Sequence, residues 1–168
     1  MNRRSMLLLS GFAVAGVACG GGEKKNEGKA GAKKDGGDAA PKPTGKEEAF
    51  TVEVGDEIKF SKTEMKCSAG STVKVTIKHT GKMEKTAMGH NFVLLAKGAD
   101  VNAVAADAVK AAPTYIPPND KRILAHTKLV GGGEEDTVEF TAPAKGTYKY
   151  ICTFPGHVSM MQGKLVVS

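Results

Sequence analysis

The 168-residue sequence has no apolar run long enough to cross a lipid bilayer, and it contains only three cysteines, Cys19, Cys67 and Cys152. The first absence argues against a helical membrane-spanning protein and leaves one globular domain as the expectation. Three cysteines allow one intramolecular disulfide at most. A third absence is an excess of positive or negative charge, because residues 47–168 carry 15 basic and 14 acidic side chains. The sequence therefore gives no support for nucleic-acid binding.

The N-terminus has the pattern of an export signal. Two arginines precede an apolar stretch, residues 6–18, which is short for a membrane helix and suits the core of a secretory signal. An alanine then precedes Cys19, as in bacterial lipoprotein signals, although Gly16 stands where that pattern prefers a large aliphatic residue. We predict that residues 1–18 are a lipoprotein signal peptide and that Cys19 carries a lipid. This would anchor the protein to a membrane, on the periplasmic or cell-envelope face; plain secretion is the alternative.

Residues 19–46 are rich in glycine, lysine and alanine and contain no aromatic side chain. Such a segment cannot bury enough apolar surface to fold. We predict a flexible tether, with seven lysines against four acidic residues, that anionic lipid headgroups would attract. The folded domain is then residues 47–168.

This domain is predicted to be an all-β sandwich. Short stretches with strand character are separated by Gly, Pro, Asp or Asn. They are residues 50–54, 71–78, 91–96, 137–141, 147–152 and 163–167. Alternation predicts one buried face for residues 71–78 and places Tyr148, Tyr150 and Cys152 on the core side of a later strand. Residues 101–111 predict a short amphipathic helix.

Residues 152–161 place a thiol, an imidazole and a thioether on one loop. Two soft ligands with imidazoles suit copper, and a Cys-His-His set with a long axial methionine is typical of blue-copper electron-transfer sites. The second histidine must come from elsewhere. The chain's four histidines are His79, His90, His126 and His157. His90 is the best partner, because Gly89 permits close backbone approach and a strand-like run follows. The thioether could come from Met160 or Met161.

Three segments resemble the azurins, bacterial proteins of the cupredoxin family. They are residues 88–94 (MGHNFVL), 125–131 (AHTKLVG) and 152–157 (CTFPGH), the last followed by Met161. The likeness runs from about residue 50 to residue 168 and includes the lipid-anchored, azurin-like auracyanins. It implies a Greek-key β-sandwich of about eight strands with one short helix, and one type 1 copper ion.

The resemblance also assigns roles to residues. It implies copper ligands at His90, Cys152 and His157, and it selects Met161 because azurins have three residues between the histidine and the methionine. The residue whose backbone carbonyl would lie opposite the methionine is Gly89. The residues that would support the ligands by hydrogen bonds and packing are Asn91, Thr153 and Phe154.

By the same resemblance the protein is expected to be an electron carrier, not an enzyme, cycling between Cu(I) and Cu(II). Electrons would pass through the edge of His157. An apolar patch would surround that edge, formed by Met88, Phe154, Pro155 and Met160. Its partners would be transient redox proteins, such as cytochromes or respiratory and terminal reductases.

Other readings of the same residues stay open. A copper-carrying or copper-storage lipoprotein would use the same ligands. An enzyme with Cys152 as nucleophile and His157 as base would need an orienting third group and a substrate cleft. Zinc is a weaker candidate than copper, because methionine is a poor zinc ligand.

The chain departs from the azurin pattern in two places. Azurins have a disulfide near the N-terminal edge, but Glu47 and Glu48 occupy the region of its first cysteine. We therefore predict that Cys67 is a free core thiol, with an intermolecular disulfide as the alternative. The chain also lacks tryptophan, so the resemblance implies no tryptophan relay. His79 and His126 are not expected to bind copper, and His126 is expected at the surface.

Overall fold

A computed structural model describes residues 41–168 of the chain. This part contains eight strands and two short helices. The strands are β1 (Glu47–Val54), β2 (Glu64–Cys67), β3 (Thr72–His79), β4 (Val93–Leu95), β5 (Ile123–His126), β6 (Glu135–Thr141), β7 (Gly146–Ile151) and β8 (Gln162–Val167), and the helices are α1 (Lys85–Met88) and α2 (Val101–Lys110). The predicted signal peptide, Cys19 and most of the predicted tether lie outside the described residues.

The strands form two sheets. One has the order β1-β3-β6 and the other the order β2-β8-β7-β4-β5. The pairs β1–β3 and β2–β8 are parallel, and the other pairs are antiparallel. The prediction of a β-sandwich of about eight strands is confirmed. Within residues 41–168, neither helix has the length and apolar character needed to span a bilayer.

Alternating side chains build the core between the sheets. In β3 the side chains of Val73, Val75 and Ile77 are fully buried, and their neighbours point outward. In β7 the predicted inward positions of Tyr148 and Tyr150 are confirmed. One apolar cluster joins residues of both sheets, so the sandwich has a continuous core.

Helix α2 covers the outer face of the five-stranded sheet. Asp100 caps its N-terminus by accepting hydrogen bonds from two backbone amides. Val101 and Val104 pack in one cluster with Leu95 and Ile151. Strand β4 is therefore buried on both faces, which explains why residues 91–96 form an apolar run without alternation.

Three elements had no clear signal in the sequence. Helix α1 is a single turn without a side-chain cap, so it has no periodicity to detect. Strands β2 and β5 have four residues each, which is too short to give a clear periodic pattern.

Before β1, Thr44 and Lys46 already make backbone hydrogen bonds, to Gly70 and Thr72 respectively. The chain thus joins the sandwich ahead of its first strand.

Strand register brings the predicted site residues to one end of the sandwich. In the five-stranded sheet, Ile151 at the end of β7 pairs with Val93 in β4 and with Gln162 in β8. The residues just outside these pairs are therefore neighbours: His90 and Asn91 before β4, Cys152 after β7, and Met161 before β8.

Candidate metal centre

Two imidazoles and one thiol converge at this end. The Nδ1 atom of His90 lies 3.9 Å from the Sγ atom of Cys152, and the Nδ1 atom of His157 lies 3.7 Å from the same sulfur. All three side chains are buried, with 4 % of His157 exposed. They form the one group of three or more potential His, Cys, Asp or Glu metal ligands within residues 41–168.

His90 is held from both its backbone and its ring. Its backbone exchanges two hydrogen bonds with Val130, at 3.0 and 2.8 Å. Its Nε2 atom lies 2.8 Å from the carbonyl oxygen of Gly55, which can only accept, so Nε2 carries the proton. Burial lowers the pKa of His90 to about 4. The ring is therefore neutral and turns an unprotonated Nδ1 toward Cys152.

The loop after β7 returns His157 to the sulfur. Gly156 has a φ of +83°, a left-handed conformation that favours glycine. The amides of Met160 and Met161 then donate to the His157 carbonyl. Burial lowers the pKa of His157, which keeps this imidazole neutral as well.

Cys152 lies at the centre of the group. Burial raises the pKa of its thiol to about 11, although hydrogen bonds from the amides of Asn91 and Phe154 oppose that shift. Without a cation the thiol thus keeps its proton at neutral pH. A metal ion that binds there must displace this proton, and the two amides are already placed to stabilise the resulting thiolate.

A reciprocal pair of hydrogen bonds joins the two ligand-bearing segments. The Asn91 side chain donates to the Thr153 Oγ1 atom at 2.8 Å and accepts from the Thr153 amide at 2.8 Å. Both residues are buried. The Thr153 hydroxyl donates in turn to the Tyr115 carbonyl at 2.7 Å. Any change in the position of Cys152 relative to His90 would have to break this buried link.

The structure separates the two candidate methionines. Met161 is fully buried in the same cluster as Cys152, whereas 69 % of Met160 is exposed. Gly89 is also buried, and a Cβ atom there would lie 2.8 Å from the side chain of Leu129. A larger residue would therefore displace the backbone next to His90.

The donor set fits one soft metal ion. Two atoms bonded to a single ion by bonds of about 2.0–2.3 Å lie at most about 4.6 Å apart. The sulfur–nitrogen separations of 3.7 and 3.9 Å are inside that limit. One thiol and two neutral imidazoles, with a buried thioether nearby, match the preference of copper.

Comparison with known proteins agrees with this donor set. Residues 46–168 match the family model described as "Copper binding proteins, plastocyanin/azurin family". The chain belongs to this family.

Individual relatives are close to this cupredoxin in sequence and fold. The "Outer membrane protein H.8" of Neisseria gonorrhoeae is 46 % identical over 124 residues, which cover 71 % of this chain and 67 % of that protein. The azurin of Achromobacter denitrificans is 43 % identical over 125 residues, 70 % of this chain and 83 % of that protein. The solved "blue" copper protein auracyanin A, from Chloroflexus aurantiacus, is 40 % identical, with a TM-score of 0.66, and covers 73 % of this chain and 99 % of its own.

Family membership and the His-Cys-His group together define the activity. The protein is a blue copper electron-transfer protein, its cofactor is copper, and it is not an enzyme. The burial of Cys152 agrees with this, because a nucleophile with no exposed surface cannot reach a substrate.

One contact around this cupredoxin centre was not anticipated from sequence. The Gly55 carbonyl that orients His90 comes from a distant loop, and backbone acceptors have no side-chain signal. His79, which is buried, lies 5.2 Å from the His90 ring and bonds through Nε2 to the Met88 carbonyl. His126, as predicted, is exposed.

Proposed function

We propose that the side chains of His90, Cys152 and His157 would hold the copper ion, with the Met161 thioether as a weaker ligand and the Gly89 carbonyl nearby. The observation that carries this assignment is the convergence of the Nδ1 atoms of two neutral imidazoles on one buried sulfur, at 3.9 and 3.7 Å. The burial of Met161 beside Cys152, and the exposure of Met160, support the choice between the two methionines.

When bound, copper supplies a one-electron couple between Cu(I) and Cu(II). The protein's part is to hold its own donors in one arrangement for both states. The Asn91–Thr153 pair fixes the two ligand-bearing segments relative to each other, and the Gly55 carbonyl fixes the His90 ring. Because the two Asn91–Thr153 bonds are buried and reciprocal, little rearrangement would accompany gain or loss of an electron.

The edge of His157 is the proposed route for electrons. Its ring is in contact with Phe154, at 4.7 Å between centroids, and 4 % of the residue is exposed. The apolar patch around this edge comprises Met88 and Phe154, which are half-buried, and Pro155 and Met160, which are exposed. A small apolar surface suits partners that bind briefly, since redox complexes have interfaces at the low end of size.

The partners we propose are other electron carriers of the cell envelope, such as cytochromes or respiratory and terminal reductases. The likeness to a protein named for the outer membrane supports an envelope location. The proposed signal peptide, the lipid on Cys19 and the tether would hold the domain at a membrane within reach of such partners.

Electron transfer is favoured over copper delivery because His90, Cys152 and His157, the three proposed strong ligands, are buried. A protein that hands over its ion needs ligands that a partner can reach and replace. Slow loss of copper to a chelator, together with repeated reversible oxidation and reduction, would support a role in electron transfer. Rapid transfer of the ion to the chelator would support a role in copper delivery.

The deciding experiment is to add Cu(II) to the purified, reduced protein and record the visible spectrum. We expect an intense band near the red end of the visible range, which arises from a copper-bound thiolate. The matched variants are Met161→Leu and Met160→Leu. The first should keep the colour and shift the reduction potential, and the second should change neither. A folded protein that stays colourless would refute the proposed site.

The proposed patch is tested by Met160→Lys. Since Met160 is 69 % exposed and outside the buried donor set, the added charge should leave the visible spectrum unchanged. It should slow electron exchange with a partner cytochrome, because a desolvated lysine opposes an apolar interface. Stopped-flow kinetics measure the rate. An altered spectrum, or an unaltered rate, would count against this patch.

A further inference from the structure

The orientation of His90 depends on a carbonyl from a loop between β1 and β2. Strand β1 ends at Val54, and the next residue, Gly55, accepts the hydrogen bond from the His90 Nε2 atom at 2.8 Å. This bond decides which ring nitrogen is protonated and therefore which one faces Cys152. A group that holds the Gly55 carbonyl in place therefore also holds the ring of His90, the proposed ligand, in its orientation.

The side chain of Asp56 ties this loop to the loop that follows β3. Its Oδ1 and Oδ2 atoms each lie 3.1 Å from the Lys82 amide, and Oδ1 accepts from the Met83 amide at 3.0 Å. Hydrogen bonds to an ionised carboxylate are stronger than neutral ones. In accord with this, the amides of Met83 and Lys82 hold the pKa of Asp56 below its ordinary value.

The loops after β1 and after β3 also contact each other directly beside the Asp56 carboxylate. The amide and the hydroxyl of Thr80 both donate to the Val54 carbonyl, at 2.8 and 3.0 Å. A Cβ atom on Gly81 would lie 2.8 Å from the Asp56 amide nitrogen and collide with its carboxylate. The loop after β3 thus accommodates Asp56 only because residue 81 is glycine.

We propose that Asp56 is a positioning residue, which fixes the Gly55 carbonyl and through it the His90 ring with Nδ1 directed at the Cys152 sulfur. The proposal rests on the proposed function of His90 as a copper ligand. Asp56 itself is exposed and lies outside the group of potential metal ligands, so its role is to orient a ligand and not to bind copper.

The alternative is that Asp56 contributes only to overall stability. Asp100 provides a matched control, because it is also an exposed aspartate whose carboxylate accepts from two backbone amides, those of Asn102 and Ala103. It caps α2 and makes no hydrogen bond to the metal centre. The pair Asp56→Ala and Asp100→Ala therefore separates positioning from stabilisation. Asp56→Asn, which keeps one acceptor oxygen, serves if the alanine variant does not fold.

The first measurement uses metal-free, nitrogen-15-labelled protein. In the wild type and in Asp100→Ala, the His90 ring should show one tautomer, with a protected Nε2 proton. In Asp56→Ala, exchange of that proton with water should be about tenfold faster, as expected for the loss of about one charged hydrogen bond. The unfolding midpoints of both variants in denaturant show whether their losses of stability are comparable.

The second measurement uses Cu(I) and a competing chelator. Loss of a group that orients a ligand typically weakens metal binding by about 10- to 100-fold. We expect this for Asp56→Ala, with a shifted visible band after oxidation, and less than about a twofold change for Asp100→Ala. Equal effects of the two variants, or wild-type proton exchange and affinity in Asp56→Ala, would overturn the proposal. If the wild type itself does not bind copper, the proposed function fails, while the metal-free measurement still decides the role of Asp56.

Discussion

Within residues 41–168, each end of the five-stranded sheet carries a buried cysteine, and only one end has a candidate metal centre. Cys152 follows β7 and has no exposed surface, while Cys67 ends β2 at the opposite edge and is 4 % exposed. Burial raises the pKa of both thiols to about 11. In exposed surface and in thiol pKa, the two cysteines are nearly the same.

Their neighbours differ. Two imidazole Nδ1 atoms and two backbone amides face the Cys152 sulfur. Cys67 lies in the apolar core, where its residue pairs with Val167, and all four histidines of the chain are at the other end. A buried thiol alone is thus a small hydrophobic side chain. We expect it to act as a ligand where the fold also supplies neutral imidazoles and donors for the thiolate.

The largest expected effect comes from replacing each cysteine in turn. Cys152→Ser exchanges the soft sulfur for a hydroxyl, so the visible band should disappear after Cu(II) addition. Cys67→Ser should retain the full band, because Cys67 lies outside the group of potential metal ligands found in residues 41–168. The visible absorption spectra of the two folded variants, recorded after Cu(II) addition, test this prediction. A coloured Cys152→Ser protein, or a colourless Cys67→Ser protein, would break the distinction between the ends.

A second comparison uses the buried polar group at each end. Asn91→Ala removes two hydrogen bonds and strands the buried Thr153 amide, so it should cost more than about 2 kcal/mol in the free energy of unfolding. Copper binding should weaken about tenfold. Denaturant unfolding of the metal-free protein and chelator competition measure the two effects.

Ser71→Ala is its counterpart at the opposite end. The Ser71 hydroxyl donates to the Ser68 carbonyl, which the Ser71 amide also reaches, so the carbonyl keeps one partner. We expect a loss of about 1 kcal/mol and no change in copper affinity. If Ser71→Ala weakened copper binding as much as Asn91→Ala does, the link between Asn91 and Thr153 would have no special role.

Much of the metal-centre end could be predicted from sequence, because its donors stand in short contiguous patterns. The segment from Cys152 to Met161 brings sulfur and nitrogen donors onto one loop, and the alternation in β7 places Cys152 on the core side. The contributions of Gly55 and Asp56 could not be predicted. One acts through a backbone carbonyl and the other through amides of a loop 26 and 27 residues away, and neither contact depends on local sequence.

At the Cys67 end of the sheet, only the burial of side chains could be predicted from the sequence. Residues 65–67 alternate, which indicated an inward Cys67, and the structure confirms that this side chain is buried. That its thiol is free stays a prediction. The four-residue length of β2, and its parallel pairing with β8, gave no periodic signal. Pairing with a strand about 100 residues later depends on the assembled fold.

The smallest expected effect concerns the pH dependence of stability at the Cys67 end. In the unfolded chain this thiol loses its proton near pH 9, and in the folded protein only near pH 11. Between these values the unfolded state has released a proton that the folded state keeps, so unfolding becomes easier as pH rises. The contribution of Cys67 is therefore fully present below pH 9 and is lost by about pH 11.

Cys67→Ala isolates this contribution, since Cys152 and Tyr150 titrate alike in both proteins. The variant should be less stable than the wild type by about 1 kcal/mol at pH 7. As pH rises from 9 to 11 this difference should shrink and then change sign, because the rise in the Cys67 pKa from 9.0 to about 11 is worth more than about 1 kcal/mol. Denaturant unfolding of the metal-free proteins across that range measures it. A difference that stayed constant would mean that the Cys67 thiol ionises equally in both states. The opposite end of the sandwich would then be less well sealed from water than the metal-centre end, and the two cysteines would differ in burial as well as in neighbours.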